Sequence, residues 1–220
     1  MLRALLASAL LSATLSAQII APFPQSFTGV VEPAFSPGPP IICAPPTHQL
    51  KCSGGVFFLQ SDTIDLDDYI GQNVKLVGTA VDKGCPLIEI TEVISPPPAT
   101  LELCGTTAIG CPVRLVSAPG NISQHIIWFS GGPGLFSLSV QKGSLLLAMP
   151  FFELVSVAGG FGAEGAAFDF HMPTDSNLIG VDLWLQNARR DVGPIGPLSM
   201  GNAICFSILP AHVPCVLPDC

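Results

Sequence analysis

The sequence predicts an all-β protein in which a small β unit precedes an antiparallel β-sandwich. Period-two alternation marks Phe136-Ser137-Leu138-Ser139-Val140, Ala166-Ala167-Phe168-Asp169-Phe170-His171-Met172 and Val181-Asp182-Leu183-Trp184-Leu185-Gln186 as strands with one buried face. Glycine and proline contribute 22 residues each, and they punctuate the chain with turns. No long amphipathic helical period accompanies the strands, so the hydrophobic residues, 49% of the chain, are left to sheets for burial.

Residues 1–17 carry one charge, Arg3, ahead of an apolar run that ends in small residues, the pattern of a cleaved export signal. The run is too short to span a bilayer, and cleavage is expected after Ala17 or after Ser16. Residues 18–47 contain Pro22, Pro24, Pro33, Pro37, Pro39, Pro40, Pro45 and Pro46, and they read as an extended leader, because proline removes backbone donors.

Residues 48–95 form the small β unit, with strands at 56–60, 74–81 and 86–93 rich in β-branched residues. Between the first two strands, Asp65 and Asp68 suggest one capped helical turn, released by Gly71 in a left-handed conformation. Pro96-Pro97-Pro98 supplies a linker at 96–99. The sandwich occupies 100–210, and a cysteine-containing tail occupies 211–220. Within the sandwich, Ile126-Ile127-Trp128-Phe129 and Leu145-Leu146-Leu147-Ala148-Met149 are continuous apolar runs, as expected of strands covered on both faces. Ser130-Gly131-Gly132-Pro133-Gly134 resembles a glycine-rich oxyanion loop, but the parallel sheet and helices such a loop requires are missing, and a turn between strands explains it.

Charge narrows the function. Lys and Arg number 8 against 16 Asp and Glu, a formal net charge of −8 with no basic cluster, which argues against a nucleic-acid partner. Charged residues are only 11% of the chain, so its surfaces tolerate association with other surfaces. All eight cysteines follow the export signal, which favours disulfides. Cys52 with Cys85, at the edges of two strands, and Cys104 with Cys111, across a turn, are the leading pairs; Cys43, Cys205, Cys215 and Cys220 remain for the chain ends. A zinc site, the rival reading of these cysteines, is not favoured.

The candidate sites are few. Asp62, Asp65, Asp67 and Asp68 cluster as calcium ligands do, yet the sixth and twelfth positions counted from Asp65 are Ile70 and Leu76, which breaks the EF-hand pattern. Asp169 and His171 share the outer face of one strand, the start of a metal site or an acid–base pair, but no G-x-S-x-G elbow presents a nucleophile to them. His48, His125 and His212 stand singly, and Asn121-Ile122-Ser123 is a formal glycosylation acceptor. Trp184, sharing a face with Asp182 and Gln186, is the best binding candidate, whereas Trp128 belongs to the core. No catalytic residue and no cofactor is assigned.

Two segments resemble known groups. The stretch from Leu66 through Tyr69, Gly71, Val74 and Leu76 to Gly78, with Ile88-Glu89-Ile90-Thr91-Glu92-Val93, is similar to the L-x-x-Y-x-G-x-x-V-x-V-x-G pattern of small OB-like barrels in bacterial secreted proteins. That implies an OB-like barrel at 48–95, without the basic and aromatic groove of nucleic-acid binders. Gly165–Pro173 with Leu178–Gln186 resembles a segment of β-rich extracellular proteins of planctomycete-type bacteria, which implies location and fold rather than activity. The expectation is a bacterial protein, secreted or at the cell surface, extracellular or periplasmic. It acts there as a non-catalytic surface, matrix or binding component toward a protein or glycan surface. A carbohydrate-binding module centred on Trp184 and a secreted hydrolase using Asp169 and His171 are the alternatives.

Overall fold

A computed structural model describes residues 24–34, 47–55, 57–82, 86–95, 100–118, 122–139, 142–161, 165–191 and 198–216. The segments expected to be an export signal (1–17) and a linker (96–99) lie outside them, as do Asn121, Cys43, Cys85 and Cys220. Among the described residues, fourteen strands carry the fold: β1 (Gln25–Pro33), β2 (His48–Leu50), β3 (Phe58–Gln60), β4 (Asn73–Asp82), β5 (Pro86–Ile94), β6 (Thr100–Gly105), β7 (Pro112–Ala118), β8 (Ile122–Ser130), β9 (Pro133–Ser139), β10 (Gly143–Leu147), β11 (Phe152–Phe161), β12 (Ala166–His171), β13 (Asp182–Asp191) and β14 (Leu198–Ser207).

The first five close into a barrel in the order β1-β2-β3-β5-β4, antiparallel except between β3 and β5. Phe27, Leu50, Phe57, Leu59, Leu76, Ile88 and Ile90 fill it, with the Phe27 and Phe57 rings 5.4 Å apart. At Gly78 the β4–β5 register shifts, and an added Cβ would lie 2.5 Å from the Glu89 carbonyl oxygen. Glycine therefore lets β4 bend around the barrel with β5 pressed against it. Asp65 caps a 3-10 turn at Leu66–Tyr69, accepting from the Asp67 amide at 3.0 Å, and Gly71 leaves it at φ +79°. The turn is the one expected from the sequence.

The leader expected at 18–47 needs correction. Gln25–Pro33 is β1, paired with both β2 and β4. Proline blocks a ladder only where it stands, and the segment between Pro24 and Pro33 has none.

The sandwich packs the sheet β11-β8-β13-β14 on the sheet β12-β7-β6. Leu101, Leu115, Ile127, Phe129 and Leu185 make its core, joined by Phe168 and Phe170 from the inner face of β12. A second 3-10 turn, Ser176–Leu178, reuses the first one's grammar: Asp175 accepts from the Asn177 amide at 3.0 Å, and Gly180 follows at φ +79°.

Hairpin β9–β10 joins the two units. Leu146 of β10 and Leu135 of β9 enter the barrel core, while Leu145 and Leu147 pack on Ile126, Ala188 and Met200 of the sandwich. The apolar run in β10 is covered on both faces, as expected, though Met149 beyond it is exposed. The phase expected for β9 is reversed: Leu135 is 4% exposed, but Phe136 and Leu138 are 43% and 38% exposed. The barrel, rather than the sandwich, is what β9 packs against, and it takes Leu135.

The disulfide pairs also need correction. Cys52 bonds Cys205, 153 residues away, stapling the barrel to β14, and Cys111 bonds Cys215, 104 residues away. Cys104, which is disulfide-bonded, is therefore not paired with Cys111, nor Cys52 with Cys85. Short loops are favoured by local geometry, but here tertiary packing brings distant strands within bonding range.

Candidate functional site

The predicted binding face of β13 lies at the junction of barrel and sandwich. Asp182 remains exposed and accepts from the Ser207 hydroxyl. Trp184 packs against the cluster of Leu145 and Leu147, and its indole Nε1 donates to the Cys52 carbonyl at 2.9 Å. Gln186 is fully buried, so these three residues form no common platform. Instead, the Gln186 carboxamide replaces a strand neighbour for β10. Its Oε1 accepts from the Leu146 amide at 2.7 Å, and its Nε2 donates to the carbonyls of Ser144 at 3.0 Å and Gly201 at 2.8 Å.

Two asparagines absent from the sequence reading act alike on β6. Asn202 Oδ1 accepts from the Leu101 amide at 2.6 Å, and its Nδ2 donates back to the Leu101 carbonyl at 2.9 Å. Asn187 Nδ2 donates to the Thr100 carbonyl at 3.0 Å. A Cβ on Gly201 would fall 1.9 Å from Asn187 Oδ1, so glycine there makes room for the amide. One signal was available in the sequence. Gln186 and Asn187 are consecutive in a strand and point to opposite faces, so covering one face buries one amide and covering both buries both, as happens here.

Among the remaining candidates, His48 Nε2 lies 2.9 Å from Asp67 Oδ1. A carboxylate only accepts, so this ring nitrogen donates and ties β2 to the first 3-10 turn. Thr47, His48 and residues 61–67 border an open cleft of about 590 Å³ beside it. Asp62, Asp65, Asp67, Asp68, Asp169 and His171 form no group able to hold a metal ion among the described residues. Asp169 is engaged by Arg114 across the strand pair, Nε to Oδ1 at 2.7 Å and a second nitrogen to Oδ2 at 3.0 Å. The hydrogen bond from Arg114 holds the Asp169 carboxyl below its usual range. Ser130 Oγ donates to the Ala148 carbonyl at 2.9 Å, consistent with a turn between β8 and β9.

A buried polar triplet sits between the sheets. Asn187 Nδ2 donates to Ser117 Oγ at 3.0 Å, and that hydroxyl lies 2.9 Å from His125 Nδ1. Burial, with the positive Arg189 nearby, lowers the His125 pKa from its ordinary 6.5. Ser117 and His125 are both buried, so the hydroxyl–imidazole contact fastens β7 to β8 rather than facing a substrate.

No family model, curated protein or solved structure matches this chain.

One strand remains open. Among the described residues, edges β11, β12 and β6 carry Glu153, Asp169 and Glu102, while β10 and β14 lie against other elements. Among the described residues, strand β9 pairs only with β10, contains no charged residue, and shows Phe136 and Leu138 to solvent.

Proposed function

We propose that this chain is a non-catalytic surface or matrix component outside the cytoplasm, which associates with copies of itself through β9. The carrying observation is the exposed, uncharged edge strand with Phe136 and Leu138. Charge is how natural sheets guard an open edge, and the neighbouring edges have it. A chain of net charge −8 repels its own copies over most of its surface, but two β9 strands meet without like charges. Antiparallel pairing about a twofold axis would place the same residues on both sides of the contact. The disulfides Cys52–Cys205 and Cys111–Cys215 support an oxidising location, and no described helix is long and apolar enough to cross a membrane.

Sedimentation velocity of the oxidised protein over a concentration series tests the association. The parent should populate dimers, and Phe136→Lys with Leu138→Lys should be monomeric with an unchanged fold. A parent that stays monomeric at about 100 μM, a concentration ample for micromolar contacts, would overturn the proposal. Mass spectrometry of protein recovered from culture medium tests location through its first residue and its thiol count.

A further inference from the structure

The turn that follows β2 carries two local costs. It is closed by the Ser53 amide, which donates to the Leu50 carbonyl at 3.0 Å, and its third residue, Cys52, stands at φ +69°. Glycine or asparagine ordinarily fills such a position, because a Cβ crowds the backbone there. Among the described residues, no other non-glycine residue has a positive φ. Beside Cys52, the Ser53 hydroxyl is buried with no hydrogen-bond partner among the described residues, which is the second cost.

Three ties hold the turn in this form. The Cys52–Cys205 disulfide fixes it to β14, and the Trp184 indole donates to the Cys52 carbonyl at 2.9 Å. Gly54 sits so close to Pro133 that an added Cβ would lie 2.5 Å from the ring Cγ. Of the three, the disulfide is the covalent one. Both its cysteines are half-buried and line an open groove of about 460 Å³ between barrel and sandwich, together with the exposed Lys51. Solvent-borne thiolates therefore reach the bond, and the Lys51 charge favours a Cys52 thiolate as the leaving group.

We infer that Cys52–Cys205 is a thiol–disulfide exchange site, opened by a dithiol while the rest of the fold stays in place. One thiolate of the dithiol attacks Cys205 Sγ, forms a mixed disulfide and expels the Cys52 thiolate. The second thiol of the reagent then attacks its own partner sulfur, closes a cyclic disulfide and expels the Cys205 thiolate. Two electrons pass from the dithiol to the protein, and the two protons the dithiol gives up are available to the new thiolates. The turn relaxes at Cys52, and Trp184 loses its fixed acceptor. Barrel and sandwich stay in contact, because Leu135, Leu146 and Ala203 remain in the barrel core. Cys111–Cys215 is the internal comparison. Cys215 is exposed, but Cys111 is buried and neither has a positive φ, so opening that bond relieves no turn. Strained, accessible disulfides are the labile ones. The inference goes beyond self-association and does not use β9 pairing, so the two fail separately.

The test equilibrates the oxidised full chain, kept dilute, in buffers of graded reduced-to-oxidised dithiothreitol ratio, followed by acid quenching, alkylation and peptide mapping by mass spectrometry. Cys52 and Cys205 should label together at a ratio at least about tenfold lower than Cys111 and Cys215 require, the separation expected between a labile and a structural disulfide. Far-UV circular dichroism should be unchanged at that ratio, and tryptophan emission should shift in step with the labelling. Lys51→Glu should slow the exchange several-fold; an unchanged rate would overturn the choice of Cys52 as leaving group. Opening of both disulfides at one ratio, earlier opening of Cys111–Cys215, or loss of the far-UV signal alongside Cys52 labelling would overturn the inference.

Discussion

Strands β9 and β10 belong to one hairpin and are both rich in apolar residues, yet they end in opposite situations. Strand β10 is buried along its whole length, Leu146 in the barrel and Leu145 and Leu147 on the sandwich, and its free edge is satisfied by the Gln186 carboxamide. Strand β9 gives one face to the barrel through Leu135 and leaves Phe136, Leu138 and its outer edge open. Hydrophobicity alone therefore does not decide burial here. A strand that lacks a second neighbour becomes interior only when a side chain supplies the missing backbone partners.

The burial of β10 depends most heavily on Gln186. Gln186→Leu strips partners from the Leu146 amide and from the Ser144 and Gly201 carbonyls, so the unfolding free energy should fall by at least about 3 kcal/mol, at roughly 1–3 per buried group, measured by urea denaturation. A loss below about 1 kcal/mol, the scale of one ordinary net hydrogen bond, would mean that β10 does not depend on the amide. Next, Cys52→Ser with Cys205→Ser should cost about 4 kcal/mol, as loss of a long-loop disulfide does, and should shift the emission of Trp184, which is bonded to Cys52. Within the hairpin, Leu146→Ala should cost about 3 kcal/mol by leaving a core cavity, whereas Phe136→Ala, measured below the associating concentration, should stay within about 0.5 kcal/mol. Equal costs would erase the distinction.

The smallest effect concerns pH. The His125 pKa is lowered in the folded state, so the unfolded chain takes up this proton first as the pH drops below 6.5. Its contribution is intact above 6.5, declines below that value, and is fully lost once the folded-state imidazole also protonates. Melting temperatures between pH 8 and pH 4.5 should therefore decline less steeply for His125→Gln than for the parent; matching slopes would place the sensitivity elsewhere.

Much of this architecture was legible because strand alternation reports one buried face directly. Ala166–Met172 and Val181–Leu185 direct their apolar residues inward, and the capped turn before Gly71 forms as read. The matching turn at Asp175–Gly180 repeats the capping Asp, the closing Ile and the following Gly, the same signal in a different frame of residues. Strand β1 was hidden because the prolines flanking it set the character of the whole segment. The junction was hidden for a different reason. Pairing Cys52 with Cys205 and Gln186 with Leu146 depends on which distant strands meet, and spacing along the chain carries no record of that. Trp184 and Gln186 read as hydrogen-bonding side chains on one strand face, and in the fold their hydrogen bonds go to the chain itself.

Hydrogen–deuterium exchange resolved to single strands tests the central contrast most directly. In dilute oxidised protein, the amides of β10, Leu146 above all, should exchange as slowly as the barrel core, while the β9 amides that face away from β10 should exchange quickly and gain protection as concentration rises. Equal protection of both strands at every concentration, or faster exchange in β10 than in β9, would contradict the account.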